Sequence, residues 1–225
     1  MAMTASMAIV RSNRPMIFDC DGTLIDSEGI HVSALQIVLA SAGFDIDIGT
    51  LHARYTGVDN PSILRQLSAE SGIDFPPGLA AKVSSAAYEL IARDARPMPG
   101  AIEVVRELAN SGVRLAVASN STYRNVEAML MRTSLDTYFG GYIATCDRVK
   151  SPKPAPDVYL LAAELVAVAP SFCVAVEDSP AGVESARAAG MSVVGYCPVG
   201  SRIPSTALVS AGAGEIIQDL RLLLQ

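Results

Sequence analysis

The chain has 225 residues, 50% of them hydrophobic and 18% charged, which excludes intrinsic disorder because such a composition can bury a substantial core. Its formal net charge of −6 at pH 7 excludes the basic field that drives non-specific binding to nucleic acids. No uncharged run reaches the roughly 20 apolar residues that span a membrane, so we expect neither a nucleic acid nor a membrane as a partner.

The first residues, 1–15, place their apolar side chains before Arg11 and Arg14, the reverse of the order in a signal peptide. Four cysteines lie in or beside apolar runs and form no C-x-x-C pair: Cys20, Cys146, Cys173 and Cys197. Buried free thiols are typical of such positions in a reducing compartment. We therefore expect free cysteines and a cytoplasmic protein.

Short apolar runs alternate with helical patterns along most of the chain, which is typical of a parallel α/β sheet. Most of these runs are continuously apolar, as expected for strands covered on both faces. The predicted strands are residues 16–19, 114–119, 142–145, 172–177 and 192–196. The helices predicted between and after them are residues 101–110, 123–132, 156–166, 180–189 and 215–224.

Residues 29–96 interrupt this alternation, because their pattern predicts helices only, at residues 29–42, 61–71 and 77–93. The segment ends at a proline-glycine hinge, residues 96–100. A helical insert directly after the first strand predicts a lid over the carboxyl ends of the strands, where open α/β sheets bind ligands. We therefore predict a discontinuous core, residues 1–28 and 97–225, and a helical cap domain, residues 29–96.

Two aspartates, Asp19 and Asp21, follow directly after the first predicted strand. Residues two apart in a strand point to the same side, and Gly22 permits a sharp turn behind them. Two crowded carboxylates need a cation or a shared proton, which suits a metal ligand and nucleophile beside a general acid/base. The alternative is a polar turn at a strand end.

A second acidic pair, Glu177 and Asp178, follows the predicted strand 172–177. Parallel strands of one sheet bring these tips to the same edge, where they could complete an oxygen-ligand set for Mg²⁺. The alternative is helix capping, since Asp178 or Ser179 could begin the helix at Pro180.

Hydroxyl, amide and amine groups follow two further apolar segments. Ser119 ends the predicted strand 114–119, and Asn120, Ser121 and Thr122 follow it before a helix. Their hydrogen-bond donors and the helix amino terminus suit a phosphate oxygen. Lys153 lies between prolines that hold the backbone extended, so its ammonium is positioned for a phosphoryl group or an aspartyl nucleophile. Helix capping and an ordinary surface lysine are the alternatives.

The sequence lacks the residue motifs of several common catalytic sites. Only two histidines occur, with no H-E-x-x-H motif and no thiol cluster, which argues against zinc hydrolysis and a histidine-based triad. No G-x-S-x-G, G-x-x-x-x-G-K-[ST] or G-x-G-x-x-G motif occurs either. The chemistry must rest on carboxylates, a hydroxyl and a lysine.

The four clusters, in this order, resemble the haloacid dehalogenase-like (HAD) hydrolase superfamily, in its branch with a helical cap after the first motif. The resemblance covers nearly the whole chain from Met16 and implies a Rossmann-like parallel-sheet core with helices on both faces and an inserted all-helical cap. It implies a phosphatase rather than a dehalogenase, since dehalogenases of the superfamily need no metal and lack the second acid at Asp21. It also implies a Mg²⁺ cofactor.

Carried over residue by residue, the resemblance implies that Asp19 is the nucleophile and Asp21 the general acid/base. Mg²⁺ would be held by Asp19, the backbone carbonyl of Asp21 and Asp178, with Glu177 close by. The phosphoryl oxygens would be bound by Ser119, the Asn120 amide and Lys153.

Within the superfamily the motifs look closest to sugar-phosphate phosphatases and β-phosphoglucomutases. His31 falls where the mutases carry a histidine, whereas the loop around Gly57 keeps the mutase glycine but lacks the arginine that would hold a second phosphate. Gly57 and His31 are the substrate-contact candidates of the cap. We expect a phosphatase of a small phosphorylated metabolite; the alternatives are a phosphomutase and a regulatory phospho-acceptor. A lid that opens and closes disfavours a tight dimer through the cap, so we expect a monomer.

Overall fold

The structure is a computed structural model that describes residues 13–55, 58 and 60–225. The chain divides into two compact units. The core unit ends at Asp26 and resumes at Arg96, and the helical unit is Ser27–Ala95. These bounds lie close to the insert predicted at residues 29–96.

The core unit contains a six-stranded parallel sheet and a short antiparallel pair. The strands are β1 Met16–Phe18, β2 Ile25–Asp26, β3 Arg96–Pro97, β4 Leu115–Ser119, β5 Ile143–Thr145, β6 Val174–Glu177, β7 Ser192–Tyr196 and β8 Glu215–Ile217. The large sheet has the order β5-β4-β1-β6-β7-β8, and β2 pairs with β3 separately. All neighbouring strands of the large sheet run parallel.

Helices of the core unit follow the strands of the large sheet. They are α5 Ala101–Asn110, α6 Tyr123–Thr133, α7 Asp136–Phe139, α8 Asp157–Leu165, α9 Pro180–Ala188 and α10 Ser205–Ala211. Three 3₁₀ turns, Cys146–Arg148, Pro170–Phe172 and Leu220–Leu224, complete the unit.

Both faces of the sheet are buried. On one face, Ile17 and Ala175 belong to a core cluster with residues of α8, α9 and α10. Phe18 and Val176, which alternate with them and point to the other face, are also fully buried. The continuously apolar strands therefore lie in the middle of the core, and the predicted α/β fold class is confirmed.

The helical unit consists of α1 Glu28–Ser41, α2 Ile48–Tyr55, α3 Asn60–Ser71 and α4 Leu79–Asp94. It has its own apolar cluster, which includes Leu39 of α1, Leu51 of α2, Leu67 of α3 and Val83 of α4. Among the described residues, no helix has the length and apolar character needed to cross a membrane.

The predicted helix at residues 215–224 is wrong. Glu215–Ile217 forms β8, paired in parallel with Val194–Tyr196, and only Leu220–Leu224 turns as a 3₁₀ helix. The spacing of the apolar residues fits a helix, but the backbone pairs with the available edge of β7. The sequence pattern also failed to indicate α2, α7, α10 and the β2–β3 pair, all of them short.

The four cysteines are free, as predicted. Cys20, Cys173 and Cys197 are buried, whereas Cys146 is only half-buried.

Candidate active site

The acidic and hydroxyl residues predicted from the strand ends meet at one edge of the sheet. Strand β1 lies between β4 and β6, with Phe18 opposite both Val117 and Val176. The Asp19 amide extends this pairing by donating to the Val176 carbonyl at 2.9 Å. Because the strands run parallel and in register, Asp19 lies beside the ends of both neighbours, Ser119 and Glu177.

A buried lysine lies between two buried carboxylates at this edge. Lys153 Nζ donates to Asp19 Oδ1 at 2.6 Å and to Glu177 Oε1 at 2.6 Å. The three residues are 8%, 6% and 0% exposed, respectively. Such a pair of ionic contacts, shielded from water, is far less screened than a surface ion pair. The structure thus places the positioned ammonium predicted from the proline-flanked loop against Asp19.

Burial opposes ionisation of the Asp19 carboxyl and is the main reason that its pKa rises to about 8. Lys153 lowers the pKa of Asp19, whereas Glu177 and Asp21 raise it further. For Lys153, burial disfavours the charged form, but the carboxylates of Asp19 and Glu177 outweigh it and raise the lysine pKa well above its usual range. One ammonium is therefore insufficient to neutralise this edge, and a further cation would favour ionised Asp19.

Glu177 is held by donors from three directions. Its Oε1 accepts from Lys153 and from the Tyr159 hydroxyl at 3.1 Å, and its Oε2 accepts from the Ser179 amide and hydroxyl, both at 3.0 Å. The Tyr159 ring also faces the ammonium, with Lys153 Nζ 5.0 Å from its centroid. Both oxygens of Glu177 are thus used inside the protein, so the residue anchors Lys153 in this structure.

The chemistry of the donor set fits a divalent cation. Carboxylate oxygens of Asp19, Glu177 and Asp178 lie within 4.8 Å of one another. Asp19 Oδ2 is buried and has no hydrogen-bond partner among the described residues. A Cβ added at Gly22, where φ is +84°, would lie 2.2 Å from Asp178 Oδ2, so this side chain reaches the turn behind Asp21. Mg²⁺ prefers such oxygen ligands.

Asp21 lies at the same edge and accepts two hydroxyl hydrogen bonds at one oxygen. Ser119 Oγ donates to Asp21 Oδ2 at 3.0 Å, and Ser121 Oγ donates to the same atom at 2.8 Å. Ser119 Oγ in turn accepts from the Ser121 amide at 2.9 Å. The predicted phosphate-binding hydroxyl therefore contacts the predicted general acid/base in this structure.

The side chain of Asn120 contacts the backbone of Lys153, with its Oδ1 accepting from the Lys153 amide and its Nδ2 donating to the Lys153 carbonyl. Two further residues, His31 and Gly57, were predicted as substrate contacts. His31 is half-buried on α1 of the helical unit, and Gly57 lies outside the described residues. Their predicted roles stay predictions.

Ser121 belongs to the predicted hydroxyl cluster, but its contact with Asp21 was not predicted, and Tyr159 and Thr23 were given no role from the sequence. Thr23 Oγ1 donates to Asp178 Oδ1 at 3.4 Å. The one available signal for Tyr159 was a hydroxyl group among the apolar residues of α8, close in sequence to the loop that carries Lys153. Ser121 and Thr23 follow predicted site residues closely, but their spacing alone does not distinguish them from turn residues.

The fold and the site together define a class of structure. It has a parallel α/β core with an acidic cluster and a buried lysine at the carboxyl edge of its sheet. Residues 16–196 match the model of the haloacid dehalogenase-like hydrolase family. The chain belongs to this family, and it is therefore an enzyme of the hydrolase class. The resemblance inferred from the four motifs is confirmed.

Two relatives of similar sequence are named as phosphatases of phosphorylated sugars. The chain is 35% identical over 181 residues to the fructose-1-phosphate phosphatase YqaB of Escherichia coli, covering 80% of this chain and 94% of the relative. It is 30% identical over 212 residues to a phosphorylated carbohydrates phosphatase of Thermotoga maritima, covering 92% and 95%. The crystal structure of CbbY from Rhodobacter sphaeroides in complex with xylulose-(1,5)bisphosphate is similar, with a TM-score of 0.79, 26% identity and coverage of 92% and 94%.

Proposed function

We propose that this enzyme is a Mg²⁺-dependent phosphatase that hydrolyses a small phosphorylated metabolite through an aspartyl phosphate on Asp19. The observation that carries the proposal is the position of Asp19. This buried carboxylate has one oxygen on the Lys153 ammonium and the other without a partner among the described residues, beside two further acids. An anionic nucleophile can approach an anionic phosphoryl group only where positive charge offsets their repulsion.

The chain's own residues divide the reaction between them. Asp19 attacks phosphorus, and the bond between phosphorus and the ester oxygen breaks as Asp21 donates a proton to that oxygen. Asp21 then takes a proton from the water that attacks the aspartyl phosphate, which releases inorganic phosphate and restores Asp19. Lys153, Ser119 and the backbone amide of Asn120 bind the phosphoryl oxygens.

Mg²⁺, held by Asp19, Asp178 and the backbone carbonyl of Asp21, would supply positive charge for the phosphoryl oxygens and would lower the pKa of Asp19. Glu177 lies within reach of the same ion, but we assign it to Lys153, because both of its oxygens already accept hydrogen bonds from the chain.

We propose a sugar phosphate, or a related phosphorylated acid, as the substrate class. The support comes from the two relatives named for phosphorylated carbohydrates, which the chain matches over at least 94% of their own length.

Release of inorganic phosphate from a panel of phosphorylated metabolites tests the proposal. We expect Mg²⁺-dependent turnover that is lost in Asp19→Asn and on addition of EDTA, whereas the exposed control Asp136→Asn retains wild-type turnover. Phosphate release that survives Asp19→Asn, or that is unaffected by EDTA, would contradict it.

Product analysis in the same assay decides between the alternatives. Interconversion of hexose 1- and 6-phosphates that is faster than phosphate release would identify a phosphomutase, for which His31 is the motivating residue. An aspartyl phosphate that persists for hours would identify a phospho-acceptor. Hydrolysis on a timescale of seconds, without isomerised product, supports the phosphatase.

A further inference from the structure

The loop that carries Lys153 has few backbone hydrogen bonds of its own. Prolines at positions 152, 154 and 156 lack an amide hydrogen. Within the loop, the Ala155 amide donates to the Pro152 carbonyl at 3.0 Å. The prolines restrict the backbone angles within the loop, whereas contacts from outside the loop fix its position against the rest of the site.

The Asn120 side chain supplies such a contact, and it does so with both of its polar atoms. Asn120 Oδ1 accepts from the Lys153 amide at 2.8 Å, and Asn120 Nδ2 donates to the Lys153 carbonyl at 3.3 Å. A side-chain amide that pairs with both backbone groups of one residue fixes the orientation of that peptide as well as its distance.

The contact joins two parts of the site that are 33 residues apart in sequence. Asn120 follows Ser119, whose hydroxyl donates to Asp21. Lys153 carries the ammonium that donates to Asp19. A displacement of the Lys153 backbone would move the ammonium relative to Asp19, because the buried side chain is already in contact with both of its acidic partners.

We propose that the Asn120 side chain is a positioning residue that clamps the Lys153 backbone and so fixes the ammonium on Asp19 and on the transferred phosphoryl group. This role is separate from the phosphate contact of the Asn120 backbone amide, and it rests on the proposed phosphatase function. Asn120→Ala removes the clamp and keeps the backbone amide, so the two roles can be separated experimentally.

Steady-state kinetics of Asn120→Ala gives the first measurement. We expect kcat for phosphate release to fall about 10- to 100-fold, since small displacements of catalytic groups cost up to this much. The thermal midpoint should change little, because the Asn120 residue is exposed. The control is Asn110→Ala, at the end of α5, which should retain the wild-type kcat and thermal midpoint.

Hydrogen exchange of a peptide that covers residues 150–156 gives a second measurement, which requires no activity. Only four amides of this segment can exchange, those of Lys150, Ser151, Lys153 and Ala155. In Asn120→Ala, one amide of the segment should exchange about tenfold faster, because the Lys153 amide loses its acceptor. In Asn120→Asp, which keeps an acceptor oxygen, that amide should remain protected.

The two measurements separate failure of this inference from failure of the proposed function. If wild-type enzyme hydrolyses no phosphorylated metabolite, the proposed function fails, and unaltered exchange in Asn120→Ala would still overturn the clamp. If wild type is active and Asn120→Ala keeps its kcat, the inference is overturned and the phosphatase assignment stands. Faster exchange together with reduced kcat supports both.

Discussion

The Asp19 carboxyl is enclosed by the charges on which its proposed chemistry depends. It is 6% exposed, with one ammonium and three further carboxyl groups close to it. Burial raises the pKa of this carboxyl to about 8 despite Lys153. In the absence of a divalent cation, Asp19 is therefore mostly protonated in the folded protein at neutral pH but ionised in the unfolded chain, and this difference lowers the free energy of unfolding.

We predict that Asp19→Asn stabilises the protein when divalent cations are absent. The carboxyl has a reference pKa of 3.8 and a folded pKa of about 8, so between these values the folded state binds more protons than the unfolded state. The free energy of unfolding then falls as pH rises through this window. Asparagine stays neutral, so at pH 8 Asp19→Asn should unfold at least about 2–4 °C above wild type, the shift that 1 kcal/mol produces in a chain of this size.

Thermal melts in EDTA at pH 4, 6 and 8 measure this effect, with exposed Asp136→Asn as the control. The difference in melting temperature between Asp19→Asn and wild type should decrease towards pH 4, because the Asp19 carboxyl becomes protonated in the unfolded state as well. Equal melting temperatures of wild type and Asp19→Asn at pH 8 would show that Asp19 ionises without cost and would remove this argument for a cation.

At the scale of residues, the sequence predicted those side chains whose placement follows from a strand end. Asp19 and Asp21, two apart after an apolar run, could be assigned to one side of a strand tip from their spacing alone. Tyr159 and Ser121 could not, since their hydroxyls meet Glu177 and Asp21 only through tertiary packing. The residues that flank Tyr159 and Ser121 in the sequence do not predict these contacts.

Among the elements, the start of helix α9 controls the position of Glu177. Ser179 is the N-cap residue of α9, and its hydroxyl accepts from the Gly182 amide while also donating to Glu177. Gly182 lets the first turn of the helix approach the carboxylate closely. A Cβ added there would lie 1.6 Å from Glu177 Oε1, far inside van der Waals contact.

We predict that Gly182→Ala displaces Glu177 and, through it, Lys153. The expected result is a destabilisation of about 1–3 kcal/mol, typical of overpacking, together with a loss of phosphate release of roughly 100-fold. The matched control is Gly29→Ala in the first turn of α1, where no atom lies within 4 Å of an added Cβ. That change should be neutral or mildly stabilising, as alanine favours helix.

A double variant identifies the cause of the Gly182→Ala effect. If the clash with Glu177 is responsible, Gly182→Ala should cost little further stability in a Glu177→Ala background, since the carboxylate is then absent. Fully additive destabilisation in chemical unfolding would instead place the strain in the helix itself and contradict the proposed coupling.

Elements were predictable where local pattern and tertiary environment agree. The apolar runs that became β1, β4, β6 and β7 are covered on both faces, so their composition shows their burial directly. Strand β8 gave no such signal, because a three-residue segment becomes a strand only through its pairing with Val194–Tyr196. Apolar residues at such short range fit a helix equally well.

At the scale of the whole molecule, each unit has the parts of an independent domain. The core unit and the helical unit contain separate buried apolar clusters. The chain leaves the core unit at Asp26 and re-enters it at Arg96, and these two residues pair antiparallel in the β2–β3 ladder. The core unit therefore holds Asp26 and Arg96 next to each other through its own strand pairing, so residues 27–95 are not needed to connect them.

We predict that the core unit folds without residues 27–95 when Asn-Gly joins Asp26 to Arg96. A two-residue Asn-Gly loop favours the type I′ turn that connects antiparallel strands, and the Asp26–Arg96 pair already has the register that such a turn closes. The shortened chain should unfold in one cooperative transition followed by circular dichroism. Mg²⁺ should raise its melting temperature, because the proposed ligands Asp19, Asp21 and Asp178 all belong to this unit. The same chain carrying Asp178→Asn is the control and should lose the Mg²⁺-dependent rise. A non-cooperative melt would show that the helical unit is needed for the core to fold, and a cooperative melt that Mg²⁺ leaves unchanged would show that the core residues alone do not hold the ion.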